Sequence, residues 1–281
     1  MSTQNIVIVL GVLILTGAIV AYAGLHVFYG AIYKFGQIPE TPEQYDLKEV
    51  RVAHFPSEDG QDIQAWIKPP EDGAPVIFYF MGNFTSIGPS VQRLQPFLDA
   101  GMGLAALVYR GANGAPGNPS ERNFAADARA LYDQLDNLMG EKILPSHRVV
   151  HGYSLGTGIA TRLAVERDIA GLVLEAAYAW FCDYFTDKYH GIPFCYLMWK
   201  ERYDSADIIE TINAPLLMLH GEKDDSIKIN SAKQLYVAAR EPKRFVSYEN
   251  GTHVDLNSHG LSREVLNFYS EIVSEQSASR Q

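Results

Sequence analysis

The chain has 281 residues, 47% of them hydrophobic and 20% charged, which is too apolar for a disordered chain and long enough for one large domain. Thirty-three acidic against 23 basic side chains leave a net charge of −10. That balance speaks against a nucleic-acid partner, because neutralising phosphates takes clustered Lys and Arg. Two cysteines exclude a disulfide framework and an all-cysteine zinc site.

The first 33 residues contain no Asp, Glu, Lys or Arg, and Ile6 to Phe28 is nearly continuous apolar sequence. At helical rise this run covers about 34 Å, enough for a bilayer core. Residues 1–33 therefore read as a single N-terminal transmembrane anchor, with Tyr22, Tyr29, Tyr33 and Lys34 near its far interface. The rival is a cleaved signal peptide, since Ala21-Tyr22-Ala23 fits the small-x-small cleavage pattern. Against it, Met1 to Asn5 lacks a basic region. The side of the membrane that carries the rest of the chain is left open.

Residues 34–47 read as a linker, and 48–274 as one α/β domain. Lys48 to Phe55 and Asp62 to Lys68 alternate apolar and polar residues around a Ser-Glu-Asp-Gly turn, which predicts an antiparallel hairpin. Val76 to Phe80, Leu104 to Tyr109, Val149 to Val150, Leu172 to Leu174 and Leu216 to Leu219 are solid apolar runs, as in strands covered on both faces. Arg244 to Tyr248 completes about eight strands. Helical patterns at Ser90 to Ala100, Glu121 to Met139, Ser154 to Glu166, Ser231 to Arg240 and Ser262 to Ser274 alternate with them. The alternation predicts a mostly parallel sheet flanked by helices. Residues 275–281 read as a frayed tail.

The aromatic segment 179–213 breaks the alternation. It reads as a small cap over a pocket, or else as an ordinary helix with core aromatics. Cys182 and Cys195 lie within it and either form one bridge, in an oxidising compartment, or stay as buried thiols.

Gly152-Tyr153-Ser154-Leu155-Gly156 follows an apolar strand and opens an apolar-periodic helix. A nucleophilic serine requires this strand–turn–helix setting, with glycines on both sides to let strand and helix come close. The amide of Leu155 sits at the positive end of that helix, where it can bind an oxyanion. Such a serine needs a base and an orienting acid, in the chain order Ser, acid, His. Asp224, just past the strand ending at Gly221, is the first choice of acid, with Asp225 and Glu175 behind it. Of eight histidines, His253 in Gly251-Thr252-His253 is best placed and His259 is its rival. His26 lies in the apolar segment, and His151 and His220 precede glycines at strand ends as structural residues. Arg110 reads as a partner of a nearby carboxylate and stays outside the site.

Together these pieces resemble the α/β-hydrolase superfamily, and within it the membrane-anchored, single-pass α/β-hydrolase-domain serine hydrolases. The resemblance runs over residues 48–272 and is carried by Tyr109-Arg110-Gly111, Gly152 to Gly156, His220-Gly221-Glu222-Lys223-Asp224 and Gly251-Thr252-His253. It implies an α/β-hydrolase fold and favours Asp224 over Asp225. It also implies an oxyanion loop at Phe80-Met81-Gly82-Asn83-Phe84, with the Asn83 amide as second donor and Met81 where the family has histidine. The implied activity is cleavage of carboxylic esters or thioesters, lipid-derived ones among them, by Ser154, Asp224 and His253. No metal or organic cofactor is implied. The Met81 departure leaves open a tethered binding module without turnover, and the triad is shared by peptidases and acyltransferases.

Overall fold

In the computed structural model of the protein, residues 2–71, 73–83 and 86–278 are described. They fall into two compact units, Met1–Lys34 and Phe35–Gln281.

The first unit is one helix, α1 (Thr3–Ile32), whose start is capped by the Ser2 hydroxyl accepting the Asn5 amide at 3.3 Å. Its stretch Gln4–Ile32 is long and apolar enough to cross a membrane, and most of its described side chains are exposed.

The second unit is built on one eight-stranded sheet. Strand β1 (Arg51–Pro56) alternates buried and exposed residues and pairs antiparallel with β2 (Asp62–Lys68), from Arg51 opposite Ile67 to Pro56 opposite Asp62. The remaining strands are β3 (Val76–Phe80), β4 (Gly103–Val108), β5 (Arg148–Tyr153), β6 (Gly171–Glu175), β7 (Leu216–Gly221) and β8 (Lys243–Tyr248). The order across the sheet is β1-β2-β4-β3-β5-β6-β7-β8. Only β2 runs against its neighbours. Every residue of β3 to β7 is buried, because helices cover both faces, and this is why those strands are built on apolar runs. Each fully buried Leu or Val in them contributes about 1.5–3 kcal/mol.

The helices are α2 (Val91–Asp99), α3 (Glu121–Asp133), α4 (Leu135–Met139), α5 (Leu155–Glu166), α9 (Ile229–Ala238) and α10 (Leu261–Ala278), with three short ones between β6 and β7. The single helix expected over 121–139 is two, because Gln134 (φ −98°, ψ 2°) leaves helical dihedrals while its side chain donates to Pro56 O at 2.9 Å. The last helix runs past Ser274 to Ala278, and residues 279–281 of the expected tail lie outside the described residues.

The segment expected to be a cap, 179–213, folds as α6 (Phe181–Lys188), α7 (Phe194–Leu197) and α8 (Ser205–Ile208) rather than as one crossover helix. A Cys182–Cys195 disulfide joins α6 to α7, which settles that pairing. Phe181 is its packing centre, in ring contact with Tyr178, Tyr184, Phe185 and Tyr203. Tyr196 and Trp199 stay exposed.

The connection after β3 leads to β4 on one side, whereas that after β5 leads to β6 on the other. The carboxyl ends of β3 and β5 therefore flank a topological switch point, where open α/β sheets bind ligands.

Candidate active site

Ser154 stands at that switch point, between β5 and α5. Its backbone is at φ 51°, ψ −118°, a conformation that costs a non-glycine residue about 1–3 kcal/mol. Several bonds hold it there. Ser154 N donates to Glu175 O at 2.9 Å, and Ser154 O accepts from Thr157 N at 2.9 Å and from the Thr157 hydroxyl at 2.7 Å. The turn closes only because its flanking glycines lack side chains. A Cβ on Gly152 would lie 2.5 Å from Gly156 O, and one on Gly156 would lie 2.0 Å from Phe80 O. The second approach presses the start of α5 against the end of β3, and so brings Leu155 to the loop that carries Met81, Gly82 and Asn83.

Asp224 follows β7 and is 3% exposed. Its Oδ1 accepts the amides of Ser226 and Ile227, each at 2.8 Å, which leaves Oδ2 to face His253 Nδ1 at 2.7 Å. The other imidazole nitrogen, Nε2, lies 2.9 Å from Ser154 Oγ. A carboxylate only accepts, so Nδ1 carries the proton and Nε2 is left to accept one from the serine. The structure thus brings Ser154, Asp224 and His253 together in a chain that can withdraw a proton from a hydroxyl.

The rival residues are engaged elsewhere. Asp225 is exposed and pairs with Lys228 at 3.4 Å. The Glu175 carboxylate is bound by Arg93 Nε at 2.8 and 3.1 Å. His259 lies 3.8 Å from Asp255. His151 is buried 3.6 Å from Glu175. His220 Nε2 meets Ile227 O at 2.9 Å, and burial lowers its pKa, so it is neutral and donates. Arg110 binds the carboxylates of Asp59 and Asp127, as a structural arginine would, and that contact lowers Asp59 to about 2.

Met81 is buried, and its carbonyl accepts from the Tyr109 hydroxyl at 2.8 Å. A main-chain anchor thus holds the loop expected to supply the second oxyanion amide. Asn83 follows, half-buried, and Phe84 lies outside the described residues.

Three residues around the site escaped the sequence reading. Tyr153, an unspecified position of the serine motif, donates its hydroxyl to His253 O at 2.9 Å. Arg93 donates to Val254 O at 3.1 Å. Glu175 was weighed only as an acid, although its carbonyl holds the serine amide. The available signal was a charge at the end of an apolar strand and an arginine inside an amphipathic helix.

A cavity of about 730 Å³, lined by Pro145, Ala170 and Pro215 among others, lies at the opposite end of the strands, where β5, β6 and β7 begin. It takes no part in this arrangement.

The fold is that of the α/β hydrolases. The esterase Pf2001 of Pyrococcus furiosus superposes with a TM-score of 0.68 at 16% identity, over 86% of this chain and all of that one. By sequence the chain belongs to the family of the uncharacterized protein Rv2307c of Mycobacterium tuberculosis. The two are 33% identical over 205 residues, which cover 71% of this chain and 70% of that protein. The lysophosphatidylserine lipase ABHD12 of Danio rerio is 28% identical over 202 residues, 65% of this chain and 52% of the lipase. No family model matches the chain.

Proposed function

We propose that the protein is a membrane-tethered serine hydrolase that cleaves carboxylic ester or thioester bonds of apolar, lipid-derived acyl groups. The observation that carries this reading is the His253 imidazole, bonded on one side to Asp224 and on the other to Ser154. In the reaction Ser154 Oγ attacks the acyl carbonyl while its proton passes to His253 Nε2. Asp224 keeps Nδ1 protonated and stabilises the imidazolium. The amides of Leu155 and Asn83 bind the oxyanion, each donor contributing about 2.7–4 kcal/mol in the transition state. His253 then gives its proton to the leaving oxygen or sulfur. Water, deprotonated by the same nitrogen, releases the acid and restores the serine.

Two features favour an apolar acyl group. One is the aromatic segment 179–213, which serves as a cap. The other is α1, which serves as the membrane anchor. The lipase named among the relatives acts on a lysophospholipid, which agrees with both.

The test is a fluorophosphonate probe on the full chain. It should label the wild type and not Ser154→Ala. A folded but unlabelled wild type would leave a binding module in place of an enzyme.

A further inference from the structure

The Arg93–Glu175 pair is buried to 5% and 0% exposure, yet neither residue touches the proposed reacting atoms. Apart from the approach of His151 to Glu175 at 3.6 Å, the pair is tied to the site. Arg93 Nε donates to both Glu175 oxygens, and its Nη2 donates to Val254 O at 3.1 Å. The guanidinium carbon stands 3.9 Å above the centre of the Tyr153 ring, whose hydroxyl donates to His253 O at 2.9 Å. Two successive carbonyls, those of His253 and Val254, thus hang from one stacked arginine–tyrosine pair. Glu175 completes the circuit through its main chain, which accepts the Ser154 amide at 2.9 Å.

We infer that Arg93 and Glu175 form a buried brace that positions the His253 loop against Ser154. The inference rests on the reading of Ser154, Asp224 and His253 as the reacting set. Both are positioning residues and not catalytic ones.

The energetics favour this over a role in stability. A buried ion pair gains little over apolar side chains of the same volume, whereas removing one partner strands a charge. Glu175 remains ionised in this setting. Burial acts to raise its pKa, but Arg93 and then His151 outweigh it and hold it below the ordinary value. What an apolar pair could not supply is the bond to Val254 O and the cation over Tyr153. A displacement of about 1 Å at a reacting group costs about 100-fold in rate.

The experiment uses the full chain in detergent micelles, with p-nitrophenyl butyrate as substrate, in three variants. Arg93→Met removes the brace. Arg93→Met/Glu175→Leu removes it without leaving a charge behind. Arg148→Met is the matched control, because Arg148 is also buried, stacks over a tyrosine, binds Asp136 and holds two carbonyls, but at the opposite end of β5. Each is read by kcat and KM, by the melting temperature, and by the low-field proton NMR resonance of the His253–Asp224 hydrogen bond.

The expected result is a fall in kcat of about 30- to 100-fold in Arg93→Met, with KM moved less than about threefold. The double variant should regain the melting temperature but not kcat, and both should lose the low-field resonance. Arg148→Met should lower the melting temperature and keep both kcat and the resonance. If Arg93→Met does not fold, the double variant carries the test. Recovery of kcat together with stability in the double variant would overturn the brace, as would an unchanged resonance in either Arg93 variant. A wild type inert to fluorophosphonate would refute the proposed function instead. The dependence of the resonance on Arg93 would still decide the brace.

Discussion

Gly221 lies against Gly251 so closely that a Cβ on the first would sit 2.3 Å from the carbonyl oxygen of the second. This contact joins the loop carrying Asp224 to the loop carrying His253. It is reinforced by Lys223 N donating to Gly251 O at 2.9 Å. Neither backbone can yield without moving a proposed catalytic side chain. Gly221→Ala should therefore cost about 1–3 kcal/mol of stability, as overpacking does. It should also slow fluorophosphonate labelling by at least tenfold. Melting curves and labelling rates on the same preparation check both effects, and full-speed labelling would show that the two loops move independently.

Asp224→Asn isolates the tautomer. The two backbone amides at 2.8 Å require an oxygen at Oδ1, so the new NH2 must occupy the position facing His253. An amide donor there forces Nδ1 to accept, which moves the imidazole proton to Nε2. That nitrogen can no longer take the serine proton. A loss of about 10⁴ in kcat with little change in KM is expected, measured by steady-state kinetics on a p-nitrophenyl ester. A loss under tenfold would mean that Asp224 does not set the tautomer.

The strands were legible in the sequence because each of the central five is buried throughout and carries an apolar run, its few polar residues (Arg148, His151, Glu175 and His220) standing at or near the strand ends. The meeting of positions 154, 224 and 253 was legible for a topological reason, since each stands just past the carboxyl end of a parallel strand. The brace was not. Arg93 is 82 positions from Glu175 and 161 from Val254, and no periodicity links residues that meet only through the tertiary fold. The break at Gln134 escaped for a similar reason, because its side chain bonds to the distant carbonyl of Pro56. The disulfide also lay beyond the sequence, since two cysteines in one segment fit a bridge and free thiols equally well.

The charge on Glu175 gives a pH signature. In the wild type its pKa lies below the ordinary 4.5, so its contribution to stability is constant above that pH and is lost only as pH falls through the folded value. In Arg93→Met the main opposing charge is gone and burial drives the pKa up. A raised carboxyl destabilises the fold while ionised, and the penalty lifts as protons bind. The melting temperature of Arg93→Met should thus approach that of the wild type between pH 7 and pH 5. A gap that stays constant over this range would mean that loss of Arg93 does not raise the Glu175 pKa, the carboxylate staying ionised in the folded and unfolded variant alike.

The proposed cap, segment 179–213, supplies the last prediction, because its staple and the proposed triad are separate structures. Cys182 and Cys195 tie α6 to α7, whereas Ser154, Asp224 and His253 stand at the ends of β5, β7 and β8. Closing a loop of this length removes chain entropy worth about 3 kcal/mol from the loosened cap. The proposed reacting set owes nothing to that bond, so Cys182→Ser should leave labelling by a small fluorophosphonate within about twofold of the wild type. A long acyl chain is different, since its apolar surface must be covered by the cap for binding to be favourable, at about 0.8 kcal/mol per buried CH2. In the variant KM should rise, with little change in kcat, on p-nitrophenyl palmitate while acetate hydrolysis is unchanged. Dithiothreitol should reproduce the effect in the wild type and have none in the variant. Equal loss on both esters would instead make the disulfide part of the support of the site, and would remove the argument that segment 179–213 selects the acyl chain.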